Sequence, residues 1–218
     1  MRGTHELVAQ LAQGLVSTVV VTLVCSGTGM AVGLTVAGLR RMGYARVVPF
    51  LDGFTYIFRG VPVLVLLFLV YFGLPSVGIK VGPLLAMALS LGLIAGAYLA
   101  EVFRGALDSV EASEILAAEA MGMSRFQILT SIEFPQMLRL AVPGIINEFT
   151  SILKYSPFAY TVGIAEITKQ AMTLTATTLR GIEIYLAVGV LYFLIYRILL
   201  AGVHYLEKRY QVPGLGTT

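Results

Sequence analysis

The sequence predicts an all-α integral membrane protein with about five transmembrane helices in a single domain, residues 1–218. Hydrophobic residues make up 57% of the chain and charged residues only 12%, whereas soluble domains carry about 25% charged residues. Several long stretches contain no charged residue, and one helical span needs about 20 apolar residues. One charged segment interrupts them, because six of the twelve acidic residues lie between Glu101 and Arg139.

The first three predicted spans are centred on charge-free stretches. The first covers about residues 9–39 and ends before Arg40. The second covers about residues 60–79 and begins near Pro62, since proline is tolerated in the first turn of a helix. The third covers about residues 81–103 and is rich in glycine, alanine and serine. Such small residues allow membrane helices to approach closely.

The last two predicted spans contain charged residues. The fourth covers about residues 139–164 and includes Glu148 and Lys154. The fifth covers about residues 184–204 and is interrupted only by Arg197. Because an odd number of spans places the termini on opposite sides, the positive residues decide the orientation.

Lysine and arginine are distributed unequally between the two sides of these five spans. The ten on one side are Arg40, Arg41, Arg46, Arg59, Arg104, Arg125, Arg139, Arg197, Lys208 and Arg209, and the four on the other are Arg2, Lys80, Lys169 and Arg180. Positive residues favour the cytoplasmic side. The charged loop, residues 105–138, and the C-terminus are therefore expected in the cytoplasm, and the N-terminus outside.

The charged loop has the pattern of two short helices joined by a hinge. Helix-forming residues precede Gly122, which can adopt the left-handed backbone that ends a helix. Ser124 and Gln127 have the spacing of a capping box, which starts a helix. Pro135 predicts the end of this second helix, about ten residues long and too short to cross a bilayer.

Several segments resemble the bacterial ABC-importer permeases. Gly122 is followed, after nine residues, by Ile132-Glu133-Phe134-Pro135, which is similar to the glutamate-alanine-alanine signature that grips the ATPase subunit. Arg59-Gly60-Val61-Pro62 and the segment from Ala97 to Gly105 are similar to the polar amino-acid branch, the histidine and glutamine permeases. The resemblance covers nearly the whole chain and implies a type I ABC importer permease fold with a cytoplasmic coupling helix.

The resemblance also implies which residues contact the ATPase. The predicted coupling residues are Ala117, Ala118, Glu119, Ala120, Gly122, Met123, Ser124, Phe126, Ile132 and Pro135. The sequence departs from the family pattern at two places. Leu116 stands where the signature has its glutamate, and Tyr155 stands where the branch usually has an aspartate after lysine.

The residues inside the fourth span are candidates for contact with cargo. An ionisable side chain inside a span costs roughly 2.5–3.5 kcal/mol, so it usually faces a cavity, a partner charge or a transport pathway. The predicted substrate-binding residues are Glu148, Lys154, Tyr155 and Ser156. The alternative for the two ions is a structural contact near a helix break. Glu101 and Arg104, three residues apart, predict an ion pair instead.

No Gly-x-x-x-x-Gly-Lys-Ser/Thr phosphate loop occurs in the sequence. We therefore expect no catalytic residue, bound cofactor or metal site in this chain, and ATP and Mg²⁺ to be used by a partner ATPase. One cysteine and two histidines make a His/Cys metal centre improbable. No cluster of basic residues interleaved with aromatics indicates nucleic acid binding.

The expected function is that of the membrane subunit of an ATP-driven importer in the bacterial inner membrane. The resemblance implies four partners: two copies of the ATPase, an external solute-binding protein, a second permease subunit, identical or homologous, and a polar amino acid as cargo. Another small solute, such as an opine or a sulfur compound, is the alternative within the class. A membrane enzyme or a channel subunit is the alternative outside it, although Lys154 and Ser156 point to different sides of a regular helix.

Overall fold

The computed structural model describes the backbone of residues 2–210 and the side chains of residues 9–202. Within that part the chain is built from helices: α1 (Arg2–Met42), α2 (Val48–Gly60), α3 (Val63–Phe68), α4 (Pro83–Met87), α5 (Leu93–Asp108), α6 (Ala112–Ala120), α7 (Arg125–Ile128), α8 (Phe134–Leu140), α9 (Val142–Tyr155), α10 (Ile167–Thr178) and α11 (Gly181–Tyr210). Short 3-10 helices cover Leu74–Val77 and Ser156–Val162, and wider π turns cover Leu69–Gly73, Ala88–Gly92 and Leu129–Glu133. The side chains of Arg2, Lys208 and Arg209, which enter the charge count, lie outside the described residues.

In the described part of the chain, three helical stretches have the length and composition of membrane spans. They are Ala9–Met42, Pro83–Asp108 and Gly181–Gly202. A fourth candidate is the pair formed by α2 and the segment Val63–Val77, which are bent by 104° relative to each other. The bend falls at Pro62, whose extended backbone and missing N–H favour a new helix start.

The region of the fourth predicted span is helical but not uniform. α9 passes directly into the 3-10 helix Ser156–Val162, which contains Pro157 near its start. At about 1.5 Å per residue for α-helix and about 2 Å for 3-10 helix, the two pieces would cover roughly 35 Å if collinear. That length compares with a hydrocarbon core of about 30 Å. The boundaries of this span remain a prediction.

The centre of the fold is the contact between α1 and the helical stretch that ends in α5. A Cβ added at Gly33 would lie 2.8 Å from Leu99 Cβ, and one added at Gly96 would lie 2.7 Å from Val32 Cβ. Gly92 likewise faces Thr28 at 2.9 Å. The glycines therefore allow the two backbones to pack at a distance that any side chain would prevent.

A buried carboxylate fixes the start of α10. The Glu166 carboxylate is fully buried and accepts hydrogen bonds from the backbone N–H groups of Thr168 and Lys169, both at 2.7 Å. Tyr192 of α11 donates its hydroxyl to the same carboxylate at 3.0 Å. Thr18 of α1 accepts from the Ile167 N–H at 3.2 Å. Tyr192 thus joins α11 to Glu166, and Thr18 joins α1 to the next residue, so both helices meet the start of α10.

Candidate functional site

The hinge predicted in the charged loop is confirmed. α6 ends in a Schellman motif, in which the Met123 N–H bonds to the Ala118 carbonyl at 3.1 Å and the Gly122 N–H bonds to the Glu119 carbonyl at 2.9 Å. Gly122 has a φ of +78°, a left-handed conformation that glycine adopts without steric cost. Because Gly122 takes this conformation, the last carbonyl groups of α6 have hydrogen-bond partners.

The capping box at the start of α7 is also confirmed. The Ser124 N–H donates to the Gln127 side-chain oxygen at 2.8 Å, and the Gln127 N–H donates to the Ser124 hydroxyl at 3.4 Å. Two backbone donors of the first turn are thereby satisfied. α6 and α7 are thus two separately terminated helices around a short hinge.

The prediction that Pro135 ends the second helix is wrong. The helix continues through Pro135 to Leu140. The preceding turn, Leu129–Glu133, is a π turn in which the Phe134 N–H bonds to the Leu129 carbonyl, five residues back. In a regular α-helix the N–H of residue 135 would bond to the carbonyl four residues earlier, and proline has no N–H. The wider π turn before Pro135 replaces this regular pattern, so the helix accommodates the proline.

The predicted coupling residues lie on both sides of this hinge and face largely outward. Of the residues on α6, only Ala118 is buried, at 4% exposure. Three large apolar side chains on the same part of the loop are exposed: Leu116 at 64%, Met121 at 84% and Phe126 at 63%. We call these three side chains the apolar patch. Leu116, in the position of the family glutamate, adds an exposed apolar side chain rather than a charge.

An arginine–carboxylate network lies at the end of α1 and α5 nearest the charged loop. Arg40 pairs with Asp52 at 2.9 Å and with Glu101 at 2.8 Å, so it connects α1 to α2 and α5. The predicted pair of Glu101 with Arg104 is confirmed at 3.0 Å. Arg104 also pairs with Asp108 at 3.0 Å. The network holds the helices that support the loop in a fixed arrangement.

Sequence reasoning missed the ion pair between Arg41 and Glu133. The Arg41 Nε donates to Glu133 Oε1 at 2.7 Å, although the two residues are 92 positions apart. Glu133 is 1% exposed, which is unusual for a carboxylate unless it is paired. A second contact within the loop joins the Gln136 amide to the Glu114 carboxylate. Sequence spacing carries no signal for either contact.

The predicted substrate residues do not all come together. Glu148 is half-buried and Tyr155, seven residues later, lies on the same face of α9, with exposed Lys154 beside it. Ser156 is fully buried and donates its hydroxyl to the Leu153 carbonyl at 2.8 Å, apart from the other three. Regular helix separates Glu148 from Lys154 by about 9 Å of rise.

Asn147 and Ser151 lie on the same side of α9 as Glu148, Lys154 and Tyr155. We call these five residues the polar face of α9. The Ser151 hydroxyl donates to the Asn147 carbonyl at 2.9 Å. Because α9 belongs to the predicted fourth span, we expect this polar face to meet a protein partner or a water-filled path rather than lipid.

Comparison with known proteins identifies the family to which this chain belongs. Residues 29–212 match the family described as binding-protein-dependent transport system inner membrane component. The chain belongs to this family. It is a transport subunit rather than an enzyme, and ATP hydrolysis in such importers belongs to a separate chain. The apolar helices and the family together identify a multi-pass protein of the bacterial inner membrane.

Named relatives of the permease are amino-acid and opine permeases. It is 41% identical over 141 residues to the probable amino-acid permease protein YxeN of Bacillus subtilis, covering 63% of each chain. It is 35% identical over 172 residues to the histidine/lysine/arginine/ornithine permease HisQ of Escherichia coli, covering 74% of this chain and 75% of HisQ. It is 32% identical over 204 residues to the nopaline permease NocM of Agrobacterium fabrum, covering 87% of this chain and 85% of NocM.

A solved structure has the same fold over nearly the full length. The chain resembles one described as the crystal structure of an amino acid ABC transporter with histidines, with a TM-score of 0.85 and 26% identity. The match covers 95% of this chain and 97% of that one. The type I ABC importer permease fold implied by the sequence resemblance is therefore confirmed.

Proposed function

We propose that this permease subunit imports a polar amino acid and that its ATPase docks on the apolar patch of the charged loop. The observation that carries the docking proposal is the apolar patch on α6 and α7. Leu116 lies on α6, Met121 directly follows α6 and Phe126 lies on α7, and all three side chains are exposed. Such exposed apolar side chains on helices are typical of a surface that fits a partner's groove.

The proposed assembly follows from the docking surface and from the family. Two ATPase copies using ATP and Mg²⁺ bind from the cytoplasm, one for each of two permease subunits. An external solute-binding protein delivers the cargo on the opposite side. This arrangement requires the charged loop and the C-terminus in the cytoplasm and the N-terminus outside, as the distribution of positive residues favours.

The proposed cargo path lies along the polar face of α9. The Glu148 carboxyl group can accept a hydrogen bond from the amino group of an amino acid, and Lys154 can attract its carboxylate. Tyr155 stacks on Phe158 with ring centroids 5.9 Å apart, which steadies a side chain at the same face. The names of the YxeN and HisQ relatives support an amino acid, and that of NocM supports an opine as the second candidate.

Co-purification of the ATPase tests the docking surface. Phe126→Asp places a charge in the apolar patch without disturbing buried packing, since Phe126 is 63% exposed. We expect the variant to insert into membranes normally but to lose at least about tenfold in ATPase binding, since a hot-spot side chain is worth about 2 kcal/mol. Phe126→Leu keeps an apolar side chain and serves as the control. Gly122→Asp is expected to weaken docking as well. Normal ATPase recovery with Phe126→Asp would place the docking surface elsewhere.

Uptake by proteoliposomes tests the cargo. The permease is reconstituted with its ATPase and binding protein and supplied with labelled histidine, arginine, glutamine or nopaline. We expect uptake of one amino acid with ATP, and loss of that uptake in Glu148→Gln while ATP hydrolysis persists. Uptake of nopaline alone would support the opine candidate. Unchanged uptake by Glu148→Gln would remove Glu148 from the path.

A further inference from the structure

We propose that the Arg41–Glu133 ion pair is the positioning contact that makes α1 move together with the charged loop when the ATPase acts on it. This rests on the proposed docking of the ATPase at that loop. Glu133 lies in the π turn between α7 and α8, and Arg41 lies in the last turn of α1. The pair therefore joins the charged loop, on which the ATPase acts, to α1, a predicted transmembrane helix that is distant in sequence.

The geometry of the pair makes it directional. Two nitrogens of the Arg41 guanidinium, Nε and Nη2, donate to the same Glu133 oxygen. The carboxylate is buried, whereas the arginine is about a quarter exposed. Charge-assisted hydrogen bonds of this kind are stronger and more geometrically specific than neutral ones. Separating the partners would leave a buried charge uncompensated, so the loop cannot slide along α1 without a large penalty.

Apolar packing holds the same segment to α5 but is less specific. Met137 of α8 belongs to a buried cluster with Phe103 and Leu107 of α5 and Ala37 of α1. Hydrophobic contact is non-directional, so it specifies the position of the segment less sharply than the ion pair does. Arg41 also lies 3.4 Å from Asp108, the last residue of α5. One guanidinium thus connects the ends of α1 and α5 with the π turn, and the three elements are expected to move as a rigid body.

Cargo moved per ATP hydrolysed separates this role from a merely structural one. A structural defect lowers the amount of assembled complex, its ATP hydrolysis and its uptake in proportion. For Glu133→Gln we expect normal assembly and ATP hydrolysis but at least a fivefold drop in cargo per ATP, the lower end of coupling between distant sites. Glu183→Gln is the matched control, because Glu183 forms an exposed pair with Arg180 at 2.9 Å. An unchanged ratio for Glu133→Gln would overturn the proposal.

The distance between two spin labels tests the same contact while Arg41 and Glu133 are both kept, and this experiment needs no cargo. Nitroxides are placed at Leu39→Cys on α1 and at Ser131→Cys on the π turn, both exposed positions. The native Cys25 is fully buried and remains unlabelled. We expect the same distance in the nucleotide-free and ATP-bound complex, and a second population on ATP binding in Glu133→Gln.

The possible outcomes of the two experiments are distinguishable. A distance that changes with ATP in the otherwise native complex would show that the loop and α1 move independently, and would overturn the proposal even if Glu133→Gln failed to assemble. If histidine, arginine, glutamine and nopaline all fail to enter, the proposed cargo is wrong, and the distance measurement still decides the coupling role. If ATP leaves the distance in an assembled Glu133→Gln complex unchanged as well, the ion pair is not what holds the loop to α1, and the proposal is overturned.

Discussion

Replacing Gly96 by alanine tests whether close backbone approach between α1 and α5 stabilises the permease. The new Cβ would lie 2.7 Å from both Cβ and Cγ1 of Val32, a branched side chain with little freedom to move away. Overpacking costs about 1–3 kcal/mol, and the stiffness of Val32 places this site in the upper half of that range, about 2–3 kcal/mol. The higher helix propensity of alanine offsets about 1 kcal/mol. A net loss of about 1–2 kcal/mol is expected.

The matched control is Gly38→Ala on α1, where an added Cβ would meet no atom within 4 Å. This change should stabilise the protein by about 0.5–1 kcal/mol through helix propensity alone. With about 2–4 °C per kcal/mol for a chain of this size, thermal unfolding in detergent should place Gly96→Ala about 2–8 °C below wild type and Gly38→Ala slightly above it. Equal or higher stability of Gly96→Ala would refute the role assigned to close packing.

Two further predictions concern helix ends. Ser124→Ala removes the side-chain acceptor of the capping box and should cost about 1 kcal/mol locally. Amide hydrogen exchange of residues 125–128 should accelerate while the global melting temperature stays constant. Unchanged exchange would contradict this prediction. Glu166→Gln should cost more than Tyr192→Phe, about 2–3 against about 1 kcal/mol, because an amide NH₂ at Glu166 would face backbone donors, whereas the tyrosine change removes one donor only. Denaturation of both variants in detergent checks the order, and the reverse order would show that the carboxylate does not cap α10.

The parts of this fold that sequence predicted are local in origin. Long apolar stretches with few or no charged residues locate α1, α5 and α11, because such stretches are what a helix in lipid needs. Gly122 and Ser124 specify the hinge because helix ends depend on hydrogen bonds within a few residues.

The parts that sequence did not predict depend on distant residues or on small departures from regular helix. The pairing of Arg41 with Glu133 requires α1 and the charged loop to be brought together in three dimensions. Pro135 misled the prediction because one π turn before it accommodates the proline without ending the helix. The position of Ser156, turned into the protein, depends on the change from α-helix to 3-10 helix at that residue.

The π turn at Ala88–Gly92 has a consequence for insertions and deletions. A π turn accommodates one residue more than the α-helical turn it replaces, so the helix after it is rotated by about 100° relative to an uninterrupted α-helix. Deleting one residue between Ala88 and Gly92 would restore regular helix and turn Gly96 away from Val32. In this helix deletion of Leu89 alone, the one residue of the π turn that is not buried, should therefore be as damaging as a bulky substitution, because it would rotate the contacts that follow it.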